Sequence, residues 1–232
     1  MSDMRWERWA AASGVAFVVL AVIGFLFAYD LPKAGSSGDE VLTYFRENDT
    51  AVTWQALFFG LAVIAFLWFI GTLASAIRRA ENDPAGRIPA ITVVAGATAA
   101  ALYMGGEAAI LSLAKNADQL EAGSALTLHG ASTTAFLLTD FVAATFVTAV
   151  ALGVMRTALL PTWISYAGAV FVVIALIDGV GGILSDSDTF GSGGFIGTIS
   201  FLAFLAWTAV TSATLTQRVA ATAPTPRMAP TG

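Results

Sequence analysis

Six stretches of this sequence are apolar for long enough to cross a bilayer, and no other feature limits the fold so tightly. They run about Trp9 to Tyr29 (9–29), Ala51 to Ile77 (51–77), Ile88 to Ala114 (88–114), Ala125 to Met155 (125–155), Trp163 to Leu184 (163–184) and Gly194 to Leu215 (194–215). A run of roughly 18 apolar residues, coiled as a helix, matches the thickness of the hydrocarbon layer. No water reaches that layer to satisfy a backbone N–H or C=O, so such runs form helices rather than open strands. The sequence therefore predicts an all-α, polytopic membrane protein: one six-helix transmembrane domain over 1–217. The fourth run is longer than a bilayer needs, which implies a tilt or a projection beyond the surface.

Composition bears on whether the runs could instead lie inside a soluble domain. The chain has 232 residues, of which 57% are hydrophobic and only 12% charged, and its mean hydropathy is +0.77. Soluble domains carry roughly 25% charged residues, and a water-soluble fold of this size could not hide so much apolar surface. The first run has arginines ahead of it, as a signal peptide does. Its apolar part is about twenty residues, though, and no small-x-small cleavage site precedes Asp30, so a retained helix is expected.

Orientation follows from the basic residues. Arg5, Arg8, Arg78, Arg79, Arg87, Arg156, Arg218 and Arg227 fall on one side, eight of the eleven Lys and Arg, leaving Lys33, Arg46 and Lys115 on the other. Both termini are then expected in the cytoplasm. The opposite side carries Asp30, Asp39, Glu40, Glu47, Asp49, Asp118, Glu121, Asp186 and Asp188, so the outer face is acidic. Trp6, Trp9, Trp68 and Trp163 mark the inner interface, Tyr29 and Trp54 the outer one, as an aromatic belt does. In the first outer loop, Ser37-x-x-Glu40 has the capping-box pattern, followed by Val41, Leu42, Tyr44 and Phe45 at helical spacing. This predicts a short amphipathic helix over about 38–48 on the outer surface, a lid or partner site or simply a packed connection. The Pro/Ala/Thr-rich tail, 218–232, reads as a disordered cytoplasmic segment.

Several chemistries are excluded. The absence of cysteine rules out disulfides, thiolate metal sites and cysteine nucleophiles, and a single histidine rules out a multi-histidine metal centre. Asp186-x-Asp188 offers too few oxygens for calcium. No basic stripe supports nucleic-acid binding. Neither a nucleophile elbow nor a Walker loop occurs, and no cofactor is implied. The glycine-rich GSGGFIG (191–197) lacks a lysine and reads as helix packing through Gly193-x-x-x-Gly197. Helices two and three resemble four and five in layout, each pair reaching arginine and then Ala-Gly-Ala before an acid. Both a parallel repeat and chance in Ala/Gly-rich spans account for that match.

Three carboxyls remain inside the spans: Glu107, Asp140 and Asp178. A charged Asp at a helix centre costs roughly 2.5–3.5 kcal/mol on insertion scales. No Lys or Arg lies deep enough to offset it, so the acids should face the bundle interior. His129 and Asp140, eleven residues apart, share a face of helix four, and Gly105, Gly106, Gly179, Gly181 and Gly182 flank the other two acids. Depth at 1.5 Å per residue places Gln55, Glu107, His129 and Asp178 in the outer half and Asp140 near the midplane. The expectation is an outward-facing polar pocket of Gln55, Glu107, His129, Asp140 and Asp178, or else acids that merely tie helices together by hydrogen bonds.

The segments GDEVLTYFREN, LFFGLAVIAFLWFIGTLASAIRRAE and LLPTWISYAGAV resemble a family of small actinobacterial six-span membrane proteins grouped as a domain of unknown function. The resemblance implies the plasma membrane of a high-GC Gram-positive bacterium and carries over no activity and no site residues. Three functions fit the residues. One is binding of a lipid, a small apolar ligand or a protein partner. Another is proton-coupled transport of a small molecule on the buried carboxyls, for which six short spans favour a homodimer. The third is a membrane enzyme acting on a lipidic or isoprenoid substrate, with Glu107 and Asp178 as its acid–base pair.

Overall fold

The computed structural model describes residues 3–27, 30–33, 35–81, 85–185, 187–191 and 193–221. Tyr29, Asp186 and the tail beyond 221 lie outside the described residues. Among those described there are seven helices and no strand: α1 (Asp3–Phe27), α2 (Gly38–Glu47), α3 (Asp49–Glu81), α4 (Arg87–Asn116), α5 (Ala122–Thr157), α6 (Trp163–Leu184) and α7 (Phe195–Ala221). All but α2 are long and apolar enough to span a membrane, so this is a multi-pass membrane protein. The helices outrun their apolar cores because polar turns, such as Arg78 and Arg79 on α3, continue the same backbone bonding into the interface.

The six spans stand in a ring. Each packs against the next in chain order, and α7 closes the ring on α1, while α5 also touches α3. The outward faces are apolar and exposed at Val19, Leu61, Ile64, Val94, Val170 and Ile183 among others. Water would penalise such a surface, whereas lipid meets it at no cost. Inside, Phe66, Phe146, Phe171, Phe204 and Trp207 pack in edge-to-face, tilted and stacked pairs, with ring centroids 5.3–6.5 Å apart.

Without a hydrophobic drive between helices in lipid, the ring depends on close fit and interhelical hydrogen bonds. The Ser212 hydroxyl of α7 donates to the Ala11 carbonyl of α1 at 2.6 Å and accepts from the Val15 N–H at 3.1 Å. Gly14 makes room for it: a Cβ there would stand 2.7 Å from Ser212 Cβ and 2.8 Å from Phe69 Cδ2 of α3. The Trp207 indole donates to the Ile164 carbonyl of α6 at 3.1 Å, over Gly168.

The two ends differ in charge. At the basic end, Glu7 meets Arg79 at 3.7 Å and Glu81 meets Arg156 at 3.2 Å. Exposed Trp6, Trp9, Trp68 and Trp163 surround that end and exposed Trp54 marks the other, as side chains with an apolar body and a polar tip do at an interface. At the acidic end the capping box forms in full. The Ser37 N–H donates to Glu40 at 2.7 Å, and the Glu40 N–H donates back to the Ser37 hydroxyl at 3.3 Å. Val41, Leu42 and Phe45 of α2 are buried with Ile110, Leu113 and Ala125 in a second, smaller core. Arg46 pins the α4–α5 turn, donating to the Ala117 carbonyl at 3.2 Å beside Asp118 at 3.4 Å. The amphipathic helix is thus a packed buttress on α4 and α5.

Candidate functional site

A cavity of about 180 Å³ lies at the centre of the ring, with residues of all six spans in its wall. Phenylalanines of α1, α3, α6 and α7 line one part: Phe17, Phe66, Phe171 and Phe204. The α6–α7 loop and Leu31 close over another, where the polar groups gather. That loop turns on Gly191 and Gly193, at φ +72° and +79°, a left-handed conformation that glycine adopts without a steric penalty. Gly197 then admits the Gly191 carbonyl, which a Cβ would displace. The GSGGFIG segment is a tight turn into α7, and it brings a main-chain N–H onto an acid: Gly191 donates to Asp178 Oδ1 at 2.9 Å.

Two polar clusters face the cavity. In one, Glu107 of α4 is buried at 2% exposure. It accepts from the Gln55 amide of α3 at 3.2 and 3.3 Å, with the Tyr103 hydroxyl also in hydrogen-bonding reach. Tyr103 and Glu107 are four residues apart and share one face of α4. In the other, Asp140 of α5 and Asp178 of α6 stand within hydrogen-bonding reach of each other. The Ser200 hydroxyl of α7 donates to Asp140 at 3.0 Å.

Four of the five residues expected in one pocket therefore line one cavity: Gln55, Glu107, Asp140 and Asp178. His129 is not among the lining residues. It shares the face of Asp140, but eleven residues of helix put it about 16 Å further along α5. There it is buried against the main chain of Pro32 and Lys33, and neither ring nitrogen makes a hydrogen bond of good geometry. Glu107 and Asp178 line the same cavity but hold different hydrogen-bond partners, Gln55 and the Gly191 N–H. Tyr103, Ser200 and the Gly191 N–H went unread in the sequence. The four-residue step from Tyr103 to Glu107 was the available signal for the first; Ser200 and Gly191 become partners only through the turn into α7.

Among the described residues no three His, Asp or Glu side chains gather as a metal site. Among the described residues none that lines the cavity is Lys, Arg or His. No protein-family model, no curated protein and no solved structure matches the chain.

Proposed function

We propose that this integral membrane protein binds a small, largely apolar ligand in its central cavity, with the ligand's polar end toward the two acid clusters. The observation that carries the reading is the cavity itself. Six spans surround a single space with an aromatic part and a concentrated polar part, the form of an amphiphile site. We further propose that both termini are cytoplasmic and that the polar part faces outward, which rests on the arginine-rich end and the aromatic side chains at both boundaries. The resemblance to small actinobacterial membrane proteins supports a plasma-membrane location.

The test is to purify the protein in mild detergent, extract it, and identify co-purified small molecules by mass spectrometry against an Ala143→Phe variant. Ala143 lines the cavity, and the added ring fills it. A molecule retained by the native chain and lost from the variant supports the reading; identical extracts refute it.

A second reading, a proton-coupled carrier of small molecules, is favoured by one observation, the presence of two intramembrane carboxyls, Asp140 and Asp178, side by side in the wall of one cavity. Ionisable side chains within membrane spans are characteristic of proton pathways in carriers. Proteoliposomes with an imposed pH gradient test it: uptake that depends on the gradient and is lost in both Asp140→Asn and Asp178→Asn supports transport. Uptake that survives both substitutions refutes it.

A further inference from the structure

We infer that the cavity is built for an ammonium group: its ligand is a small amine, bound as a cation on a body about the size of one aromatic ring. The inference rests on the reading of the cavity as a ligand site and names the chemistry that site takes.

The argument is a census of hydrogen-bond donors. The Gln55 amide nitrogen is committed to Glu107. Tyr103 engages the same carboxyl. The Ser200 hydroxyl donates to Asp140, and the Gly191 N–H to Asp178. Among the described residues, the two remaining lining hydroxyls turn back on their own helices: Thr139 to the Ala135 carbonyl at 2.8 Å, Thr198 to the Gly194 carbonyl at 2.9 Å. Every one of these donors is used within the protein.

Acceptors are left over. Gln55 is a residue of the cavity wall only 3% exposed, and its Oε1 is buried without a hydrogen-bond partner. Each carboxylate presents about four lone-pair sites, more than its partners in the wall fill. A buried acceptor without a donor is costly. A ligand with donors and no acceptor removes that cost, and an ammonium brings three donors and no acceptor. Among the described side chains of the wall an anion finds no free donor, and a hydrocarbon leaves Gln55 Oε1 without a partner.

Two further features agree. With no Lys, Arg or His among the described residues of the wall, the only charged groups the cation meets there are acids. The aromatic lining presents ring faces and edges: Phe59, Tyr103, Phe136 and Phe201 form a contiguous group with centroids 5.1–6.5 Å apart. A ring face within about 6 Å of a cation attracts it. Size sets the body, because a cavity of roughly 150 Å³ holds a benzene and this one, about 180 Å³, holds one ring with a short ammonium arm.

Equilibrium dialysis of the detergent-purified full chain against four probes tests the inference, with empty micelles as background. The probes are 2-phenylethylamine (a cation at neutral pH), 2-phenylethanol, ethylbenzene and phenylacetate. The expected order puts the amine first by roughly tenfold or more over the alcohol and the hydrocarbon, since charged hydrogen bonds outweigh neutral ones, and phenylacetate last. In Glu107→Gln, or in Gln55→Leu if the first variant fails to elute as a single species, the ratio of amine to ethylbenzene binding collapses toward one. Equal binding of amine and ethylbenzene, or a preference for phenylacetate, overturns the amine while leaving the cavity as a ligand site. Absence of binding by all four probes removes both. An unchanged ratio in the variants also overturns the amine.

Discussion

Gly14→Ala tests whether the ring is closed. The added methyl would stand 2.7 Å from Ser212 Cβ and 2.8 Å from Phe69 Cδ2, about 0.7 Å and 0.6 Å short of the 3.4 Å at which ordinary contact begins. Neither neighbour can yield cheaply. Ser212 Cβ is fixed to the backbone of α7, and Phe69 is fully buried in α3. Helix α1 must therefore move off both, stretching the 2.6 Å bond from Ser212 to Ala11. Overpacking of this kind costs about 1–3 kcal/mol. Replacing a helical glycine by alanine also returns up to about 1 kcal/mol of backbone propensity, so a reference is needed. Gly71 lies inside α3 with nothing within 4 Å of its would-be Cβ; its substitution gains the propensity and meets no clash. The difference between the two variants then isolates the clash. Thermal unfolding in detergent, followed by loss of the monodisperse peak, should place Gly14→Ala below Gly71→Ala by several degrees, taking roughly 2–4 °C per kcal/mol for a chain of this length. If Gly14→Ala is as stable as Gly71→Ala, α1 is not seated between α3 and α7, and the closed ring is wrong.

Two further outcomes follow from the acidic end. Asp178→Asn keeps an acceptor for the Gly191 N–H and should unfold near the native temperature. Asp178→Ala orphans that buried donor at a cost of about 1–3 kcal/mol; equal stability of the two in the same thermal assay would refute the loop-to-acid bond. The Ser37 N–H and hydroxyl hold the exposed Glu40 carboxyl below its ordinary value of 4.5. A depressed carboxyl contributes stability above that ordinary value and loses it as pH falls through its lower folded value, so α2 should loosen on acidification below about pH 4. Hydrogen exchange over 38–47, corrected for intrinsic rates, reads this directly, and Ser37→Ala should raise exchange several-fold at neutral pH through loss of about 1 kcal/mol of capping. Protection that is the same at pH 7 and pH 3 would contradict it.

The six spans were legible because the bilayer demands one simple property, a long apolar run, that a sequence displays directly. The inward facing of Glu107, Asp140 and Asp178 was legible for a related reason: a carboxyl among lipid tails is too costly to leave there. Partner choice was not legible. Asp140 shares a helical face with His129, which made that pair look natural, yet Asp140 meets Asp178, because lateral packing of α5 on α6 outranks a stripe running about 16 Å along one helix. Ser200 and Gly191 carry no local signal, since their roles exist only once Gly191 and Gly193 turn the chain into α7. Nor did any residue pattern announce the closure of α7 on α1; it depends on Ser212 and Gly14, about two hundred positions apart, whose fit no periodicity records.

Because the ring follows chain order, its last wall is also the last to be made. While α7 is still within the ribosome or the insertion machinery, α1 and α6 stand as two free flanks. Asp140 then lacks the Ser200 hydroxyl, and Asp178 lacks the Gly191 N–H. The half-built protein presents two acids through an open side to lipid, without the donors that satisfy them in the finished bundle. Biogenesis therefore has a vulnerable interval, from the emergence of α6 to the docking of α7. Substitutions at Ser200, which meets Asp140, and at Ser212, which meets α1, should show first as degraded nascent chains in the cell, before any loss of function in the mature protein can be measured.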